Sequence, residues 1–479
     1  MSKKKKENNI TVSFVDSNSA EDVTGSFIYI QTPNYKIAVD CGLSQSNDKH
    51  ADFLANNKKL KEVKAKDLDF VFLTHMHGDH SLLTPKLYRD GFRGATIITY
   101  GSKDILKVMS EDSAKISERD VLLLNNQYNK KYKPLYSIAD VHKMLEYTIE
   151  KPVNEKIKIN EELSFELIPS GHLLFSCQVL LYITVNETVK KILITGDIGN
   201  KNIHNYFVGK YQQVDRFIDL AVVETTYGDR PELKNSNKER MNDLNKLKSV
   251  IDMQVHEMKG KVLLPTFALS RSQQLATMIY QLYKDKDWQP KVYIDSPLSI
   301  SIFKEYEKIL DGEDKKIFDE LLQWENLIFV KEPDESKALV ESKEPCCILS
   351  TAGFCQIGRV RNHLKSIVSN PNATVLFSGY ASPDSLAGIL RDPKIKTIKI
   401  DEKDYKVKCA CFNLKSMSSH MPFDQMIESY SNMNCNKIVL HHGSKNAKET
   451  FAKKLKETLE KKCKSTRVVI ANSSLKFNL

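Results

Sequence analysis

The 479-residue chain has no apolar run near the ~18 residues that a membrane-spanning helix requires. No apolar segment follows Met1 and Lys3–Lys6 closely enough to form a signal peptide, so the four lysines are expected to be a solvated tail. Paired cysteines are missing as well. The nine cysteines show no Cys-x-x-Cys spacing; Cys346 and Cys347 sit in an apolar run, and one residue separates Cys409 from Cys411. That scatter excludes a disulfide framework and a thiolate zinc site, and it predicts reduced thiols in a cytoplasmic protein. There is no repeat of fixed period and no Pro/Gly/Ser-rich linker. Nor is there a strong charge excess: 71 basic minus 61 acidic residues gives +10. So mild a balance fits a polyanionic partner and a lysine-rich surface equally well. The lysine clusters at 58–61, 130–133 and 452–464 are expected to be exposed surface. With 41% apolar and 28% charged residues, the chain has ample core for two or three globular domains.

What is present is a dense cluster, Thr74-His75-Met76-His77-Gly78-Asp79-His80, directly after the apolar run Phe70–Leu73. The run predicts a buried strand, and Gly78 permits a sharp turn at its end. Three imidazoles and a carboxylate at one strand end suit a divalent metal that keeps a coordination position open for water. A solvated polar turn is the plain alternative, and the density of the cluster argues against it in a chain with only 12 histidines.

The same pattern recurs along the chain. Strands are predicted at Thr11–Phe14, Ser26–Ile30 and Tyr35–Asp40, the last ending on a carboxylate able to orient a ligand histidine. A helix is expected at Ser81–Tyr88, a strand at Ala95–Tyr100, and a helical run from Ser102. The polar stretch from about 110 to 155 is expected to hold one helix, Ile138–Thr148. Strand-then-residue units then give Leu163–Pro169 with His172, Lys191–Ile194 with Asp197, and Leu220–Val223 with Glu224. Between about 216 and 408 strands alternate with helices, which predicts βαβ units, a mainly parallel sheet and a separate core. Afterwards Lys415–Ser419 is expected to be a strand leading to His420, and Lys437–Leu440 one leading to His441 and His442. A helix at Ala447–Lys462 and a strand at Arg467–Ala471 close the prediction. Each later histidine is a weak signal alone; their common place at strand ends carries the reading.

This pattern resembles the metallo-β-lactamase superfamily and, within it, the β-CASP nucleases. His75, His77, Asp79 and His80 match its H-x-H-x-D-H motif, and Asp40, His172 and Asp197 match the first, third and fourth motifs. Glu224 in Glu-Thr-Thr-Tyr-Gly, His420 and His442 match three further β-CASP motifs, which bracket the inserted region. The resemblance implies an α/β protein: a metallo-β-lactamase αββα sandwich (1–215 and 409–479) with an inserted, mainly parallel α/β β-CASP domain (216–408). It implies two zinc ions per chain, one on His75, His77 and His172, the other on Asp79, His80 and His442, with Asp197 bridging. It further implies His420 as general acid, Glu224 as its orienting carboxylate, and Asp40 behind the ligands. The His-Gly order favours His442 over His441. Phe175 departs from the family, which has glycine at that point of the third motif.

The implied activity is phosphodiester hydrolysis of single-stranded RNA, with endonuclease favoured over 5′ exonuclease action, in RNA processing or decay. The likeness is to the nuclease subunit of the cleavage and polyadenylation factor and its prokaryotic ribonuclease relatives. RNA is favoured over DNA because the DNA-processing branch tends to lack the residue found here as His442. With no KH-like domain before residue 10 and no long extension after Leu479, a compact enzyme is expected, as a homodimer or in a larger RNA-processing assembly. The inserted domain is expected to supply the second jaw of a strand-binding cleft, with Arg271, Ser350, Thr351, Arg359 and Tyr380 as contacts. A DNA-processing nuclease and a non-catalytic scaffold subunit are the alternatives; the retained ligand set argues against the scaffold.

Overall fold

The computed structural model describes residues 9–15, 23–46, 48–61, 63–203, 205–232, 236–379, 381 and 384–479. Tyr380 lies outside them. The chain folds into two compact units, one formed by Met1–Lys201, Val208–Lys234 and His420–Leu479, the other by Asn202–Phe207 and Asn235–Ser419.

The first unit contains two seven-stranded sheets. One runs in the order Lys476–Asn478, Thr11–Phe14, Ile28–Gln31, Lys36–Val39, Phe70–Phe72, Ala95–Thr99, Thr148–Lys151. The other runs Arg467–Ile470, Cys435–His441, Ile218–Glu224, Thr188–Ile194, Cys177–Val185, Leu163–Pro169, Ile157–Lys158. Their inner faces share one apolar core: Val12, Ile30, Ile37 and Phe72 from the first meet Leu167, Val179, Ile192, Val222 and Val439 from the second. Phe72 and Phe165 meet edge to face across it at 5.0 Å. Helices cover the outside, as where Lys445–Lys461 lies along Cys435–His441 and Arg467–Ile470, which completes the αββα sandwich. Within each sheet the strands that precede the motif residues pair in parallel: Lys36–Val39 with Phe70–Phe72, and Thr188–Ile194 with Ile218–Glu224 with Cys435–His441. Parallel pairing gathers their C-terminal ends on one edge, where α/β folds assemble their sites.

The structure departs from the sequence expectation at several places, among them Thr148–Lys151, an edge strand where the helix from Ile138 was expected to end. The helix from Lys103 continues to Tyr128, through text that looks too polar, because Ile105, Leu106, Met109, Ala114, Val121 and Leu124 form a narrow buried stripe. It stops at Asn129, whose φ of +47° is a left-handed cap. Lys415–Met417 is a single 3-10 turn, and the strand is Ala410–Leu414 just before it. Asp243 causes the turn by accepting from both Ser416 N (2.6 Å) and Ser416 Oγ (2.7 Å). The C-terminal segment Lys476–Asn478 adds an edge strand antiparallel to Thr11–Ser13. Lys59 is buried rather than exposed: its ammonium donates to the carbonyls of Gly42 (3.1 Å) and Gly25. No helix among the described residues is long and apolar enough to cross a membrane.

The second unit is built on a six-stranded sheet: Leu327–Phe329, Val292–Asp295, Cys346–Ser350, Lys261–Pro265, Ala373–Ser378, Ala410–Leu414, every neighbouring pair parallel. Its crossover helices include Arg271–Tyr283, Pro297–Ile309 and Val360–Ile367. Asp295, fully buried at the end of its strand, ties them together. Oδ1 accepts from Arg359 Nη1 at 2.7 Å, while Oδ2 accepts from Ser336 Oγ at 2.7 Å and lies 2.6 Å from His363 Nε2. Burial works against ionisation of this carboxyl, but the hydrogen bonds from His363, Ser336 and Arg359 outweigh it and hold it below the ordinary value. Asp295→Ala leaves Arg359 and His363 without their common partner, and a loss of about 3–5 kcal/mol is expected. A carboxyl lowered on folding contributes its stability above the unfolded value and loses it as pH falls through the lower folded one. Urea midpoints should therefore differ widely at neutral pH and converge as the pH falls below the ordinary carboxylate range.

Candidate metal centre

Two close backbone approaches shape the site. A Cβ on Gly42 would lie 1.7 Å from the carbonyl oxygen of Asp79, and one on Gly199 would lie 1.6 Å from that of Gly171. Glycine alone permits either contact. Through the first, the Asp40–Gly42 turn docks on the motif loop: Cys41 N donates to His80 O at 2.7 Å and Leu43 N to Gly78 O at 2.9 Å. Through the second, the loop carrying His172 packs on the one carrying Asp197, with Gly199 N donating to Ser170 O at 2.8 Å. Gly199→Ala must push these loops apart. An overpacking loss of about 1–3 kcal/mol is expected in thermal melts, together with weaker metal retention under chelator challenge.

Asp40 and His442 both have positive φ, +61° and +47°, a strained setting found where geometry serves a site. Asp40 Oδ1 accepts from Thr74 N (2.8 Å) and Thr74 Oγ1 (3.0 Å), and Oδ2 lies 2.7 Å from His80 Nδ1. This bond turns His80 Nε2 inward. Thr74 Oγ1, 3.1 Å from His75 Nδ1, does the same for His75 Nε2.

The inward atoms converge in three groups whose donors lie within 4.8 Å of one another: His75, His77, His172 and Asp197; Asp79, His80 and His442; Asp197, Glu224 and His420. His172 Nε2 is 3.3 Å from His77 Nδ1, and His80 Nε2 is 3.2 Å from His442 Nε2. Nitrogens at about 2.05 Å around a tetrahedral ion stand about 3.3 Å apart. The observed spacings therefore fit such an ion with little adjustment. Asp197 lies between the groups, with Oδ2 3.6 Å from His75 Nε2 and 3.7 Å from His172 Nε2, and Oδ1 3.1 Å from His442 Nδ1. His75 Nε2 and Asp197 Oδ1 are buried and make no hydrogen bond, as expected of atoms reserved for a cation. His75 is 1% exposed, whereas the Asp79 and His420 side chains are 25% and 17% exposed, so the site opens on their side.

The electrostatics divide the donors. Burial, reinforced by neighbouring imidazoles, holds His75 well below its ordinary pKa. Burial likewise lowers His77 to about 4, so both are neutral, the ligand form. For His80 burial is overcome by Asp197, Asp40 and Asp79, which raise it to about 10. Burial raises the Asp197 carboxyl against the pull of His442 and His80. Asp79 is lowered, the pull of His80 and the hydrogen bond to His442 outweighing its burial. So many carboxylates and imidazoles in one buried space call for a multivalent cation.

Beside the donors, Glu224 Oε2 lies 3.1 Å from His420 Nδ1 and accepts from Thr226 Oγ1 at 2.6 Å, while Glu224 Oε1 accepts from Ile198 N at 2.5 Å. Burial disfavours charge on His420, yet Glu224 and Asp197 raise it to about 8.

Comparison with known proteins places the chain among recognised domains. The Metallo-beta-lactamase superfamily profile matches residues 21–90, the Beta-Casp domain 272–390, and the Zn-dependent metallo-hydrolase RNA specificity domain 404–466. The chain belongs to the metallo-β-lactamase superfamily, in its β-CASP branch. It is a metal-dependent hydrolase of the nuclease type. It is 26% identical to Ribonuclease TTHA0252 of Thermus thermophilus, over 89% of this chain and 92% of that one. Transcription termination factor FttA of Methanocaldococcus jannaschii is 25% identical, over 92% of this chain and 68% of FttA. Cleavage and polyadenylation specificity factor 73 of Drosophila melanogaster is 24% identical, over 89% and 59%. A crystal structure of a protein of unknown function from Enterococcus faecalis shares the fold, with a TM-score of 0.53 at 14% identity, covering 98% of this chain and 100% of that one.

In this β-CASP chain, Asp40, His75, His77, Asp79, His80, His172, Asp197, Glu224, His420 and His442 all come together in the first unit. His441 turns away from the donors, with Nε2 3.4 Å from Ser26 Oγ and its ring against Phe14 at 5.1 Å. Phe175 takes φ +61°, and its ring covers Gly101, where a Cβ would come within 2.6 Å of it. Arg271, Ser350, Thr351 and Arg359 belong to the second unit. Arg271 donates to Ser419 Oγ (3.0 Å) and Gln274 Oε1 (3.1 Å), and Ser350 Oγ to the Asp295 carbonyl at 2.8 Å. Thr351 Oγ1 lies 2.8 Å from Ser296 Oγ, and Arg359 donates to Asp295, Val330 O and Lys331 O. Their polar atoms hold the second unit's own loops. Sequence reading missed Ser26, Thr74 and Thr226, which fix Asp40 and Glu224; Thr74 and Thr226 adjoin motif residues, and adjacency was the available signal.

Proposed function

We propose that the protein is a zinc-dependent ribonuclease that hydrolyses phosphodiester bonds of single-stranded RNA. The observation that carries this reading is the convergence of two donor groups on one shared carboxylate, Asp197. In it, His75, His77 and His172 would hold one zinc and Asp79, His80 and His442 the second, with Asp197 available to both. When bound, such a pair supplies Lewis acidity to the phosphoryl oxygens and lowers the pKa of the attacking water.

The chain's own groups do the rest. Asp40 fixes His80 in the tautomer that presents Nε2 inward. Asp197 offsets the repulsion between the cations. Glu224 holds His420 through Nδ1, which assigns proton delivery to the leaving oxygen to Nε2. RNA is supported as substrate by the ribonuclease relatives and by the match to an RNA specificity domain.

Metal analysis combined with cleavage of matched single-stranded RNA and DNA tests the proposal. About two zincs per chain and preferential RNA cleavage are expected. DNA cleaved at an equal or higher rate, or cleavage unaffected by chelation, would reject it. Chelation should also lower the melting temperature, because a ligand at 100 times its Kd adds about 2.7 kcal/mol to the folded state.

A further inference from the structure

The second unit's sheet ends on the strand Ala410–Leu414, which is bonded on one side only, to Ala373–Ser378. Cys409 immediately precedes this strand and Cys411 is its second residue. Residues two apart in extended chain project from the same face, and here the two sulfurs lie 4.0 Å apart. Cys411 is partly exposed, while Cys409 is 8% exposed and belongs to an apolar cluster with Val375, Phe377 and Ile398. The thiols are chemically unlike as well. A hydrogen bond from Cys409 lowers Cys411 below the usual thiol value, and the same contact raises Cys409. Cys411 packs against the same cluster but is the more exposed of the two, and a more exposed, more acidic thiol backed by a buried one is the division of labour between attacking and resolving thiols.

The distance permits closure. Two residues of strand advance about 6.6 Å, within the ~6.8 Å Cα separation that a disulfide can bridge. A bridge at the limit of its span is strained and easily reduced, the property of a regulatory rather than a structural disulfide.

We propose that Cys409 and Cys411 form a redox-active dithiol that closes to a reversible disulfide. With a small-molecule disulfide such as oxidised glutathione, the Cys411 thiolate attacks one sulfur and expels a glutathione thiolate. The Cys409 thiol then loses its proton to that thiolate, and its sulfur displaces the second glutathione from Cys411. The protein loses two protons and two electrons, and the oxidant takes them up to become two thiols. Closure also bends an edge strand out of its extended pairing with Ala373–Ser378.

The test treats the full-length, metal-loaded protein with oxidised glutathione, alkylates the remaining thiols and maps the digest by mass spectrometry. The expected product carries a Cys409–Cys411 bridge, lighter by two hydrogens, that dithiothreitol restores to the free thiols. Cys409→Ser should trap glutathione on Cys411, whereas Cys411→Ser should leave Cys409 unmodified. Cys463→Ser, which removes the exposed thiol, should not change closure. Adducts on Cys463 without a bridge in the wild type would overturn the proposal. So would equal trapping of glutathione in the Cys409→Ser and Cys411→Ser variants.

Discussion

Asp79→Ala should abolish RNA cleavage and drop the metal content from two ions per chain toward one. Its carboxylate Oδ2 stands 3.4 Å from His442 Nε2 and 3.9 Å from His80 Nε2. Removing it leaves only His80, His442 and the shared Asp197 carboxylate for the second ion, and takes away the one carboxylate that this ion does not share. Several kcal/mol of charge stabilisation at the phosphoryl group would go with it. At about 1.4 kcal/mol per tenfold, turnover should fall by ~10³ or more. The readout is paired: zinc by elemental analysis and cleavage of a labelled single strand. Two zincs and undiminished turnover in this variant would overturn the ligand assignment. The exposure of Asp79 makes the experiment clean, because a 25% exposed side chain can be truncated without opening a core cavity.

His420→Ala should separate proton transfer from metal binding. The ring lies at the open side of the site, held by Glu224 at 3.1 Å and placed edge-on to Tyr227 at 5.8 Å. Losing a positioned general acid lowers turnover by ~10²–10⁴, with both zincs retained and KM little changed. RNA carrying a better leaving group at the scissile bond should recover much of the lost rate, since its departure needs less protonation. Loss of metal from the variant would make His420 a ligand instead, through its contact with Asp197 at 4.0 Å.

Much of the first unit was legible because its signals are local. The apolar run Phe70–Phe72 ending on His75 is a strand with a loaded C-terminal end, and the same device at Asp40, Asp197 and Glu224 can be read within ten residues of text. Helix Lys103–Tyr128 was underestimated because a stripe of buried residues every three or four positions is thin against a lysine- and asparagine-rich background. The turn at Lys415–Met417 was misread as strand because its cause, the Asp243 carboxylate, is more than 170 residues away. Buried Lys59 and the C-terminal strand Lys476–Asn478 were hidden for the same reason: their partners, the carbonyls of Gly25 and Gly42 and the strand Thr11–Phe14, lie far off in the chain.

By itself the sequence determined the residue types, the strand-end positions that carry them, and the switch to βαβ order that marks the inserted domain. These are local properties: hydrophobic period, turn chemistry and spacing. Tertiary structure alone decided that Thr74 and Thr226 lock the carboxylates of Asp40 and Glu224 and that Arg359 serves Asp295, whereas the inward turn of His442 was already favoured by the His-Gly order. Such choices depend on which backbone groups and side chains from distant strands meet, through contacts as close as Gly42 on Asp79 and Gly199 on Gly171. No local pattern encodes a meeting of that kind, because packing acts on neighbours in space.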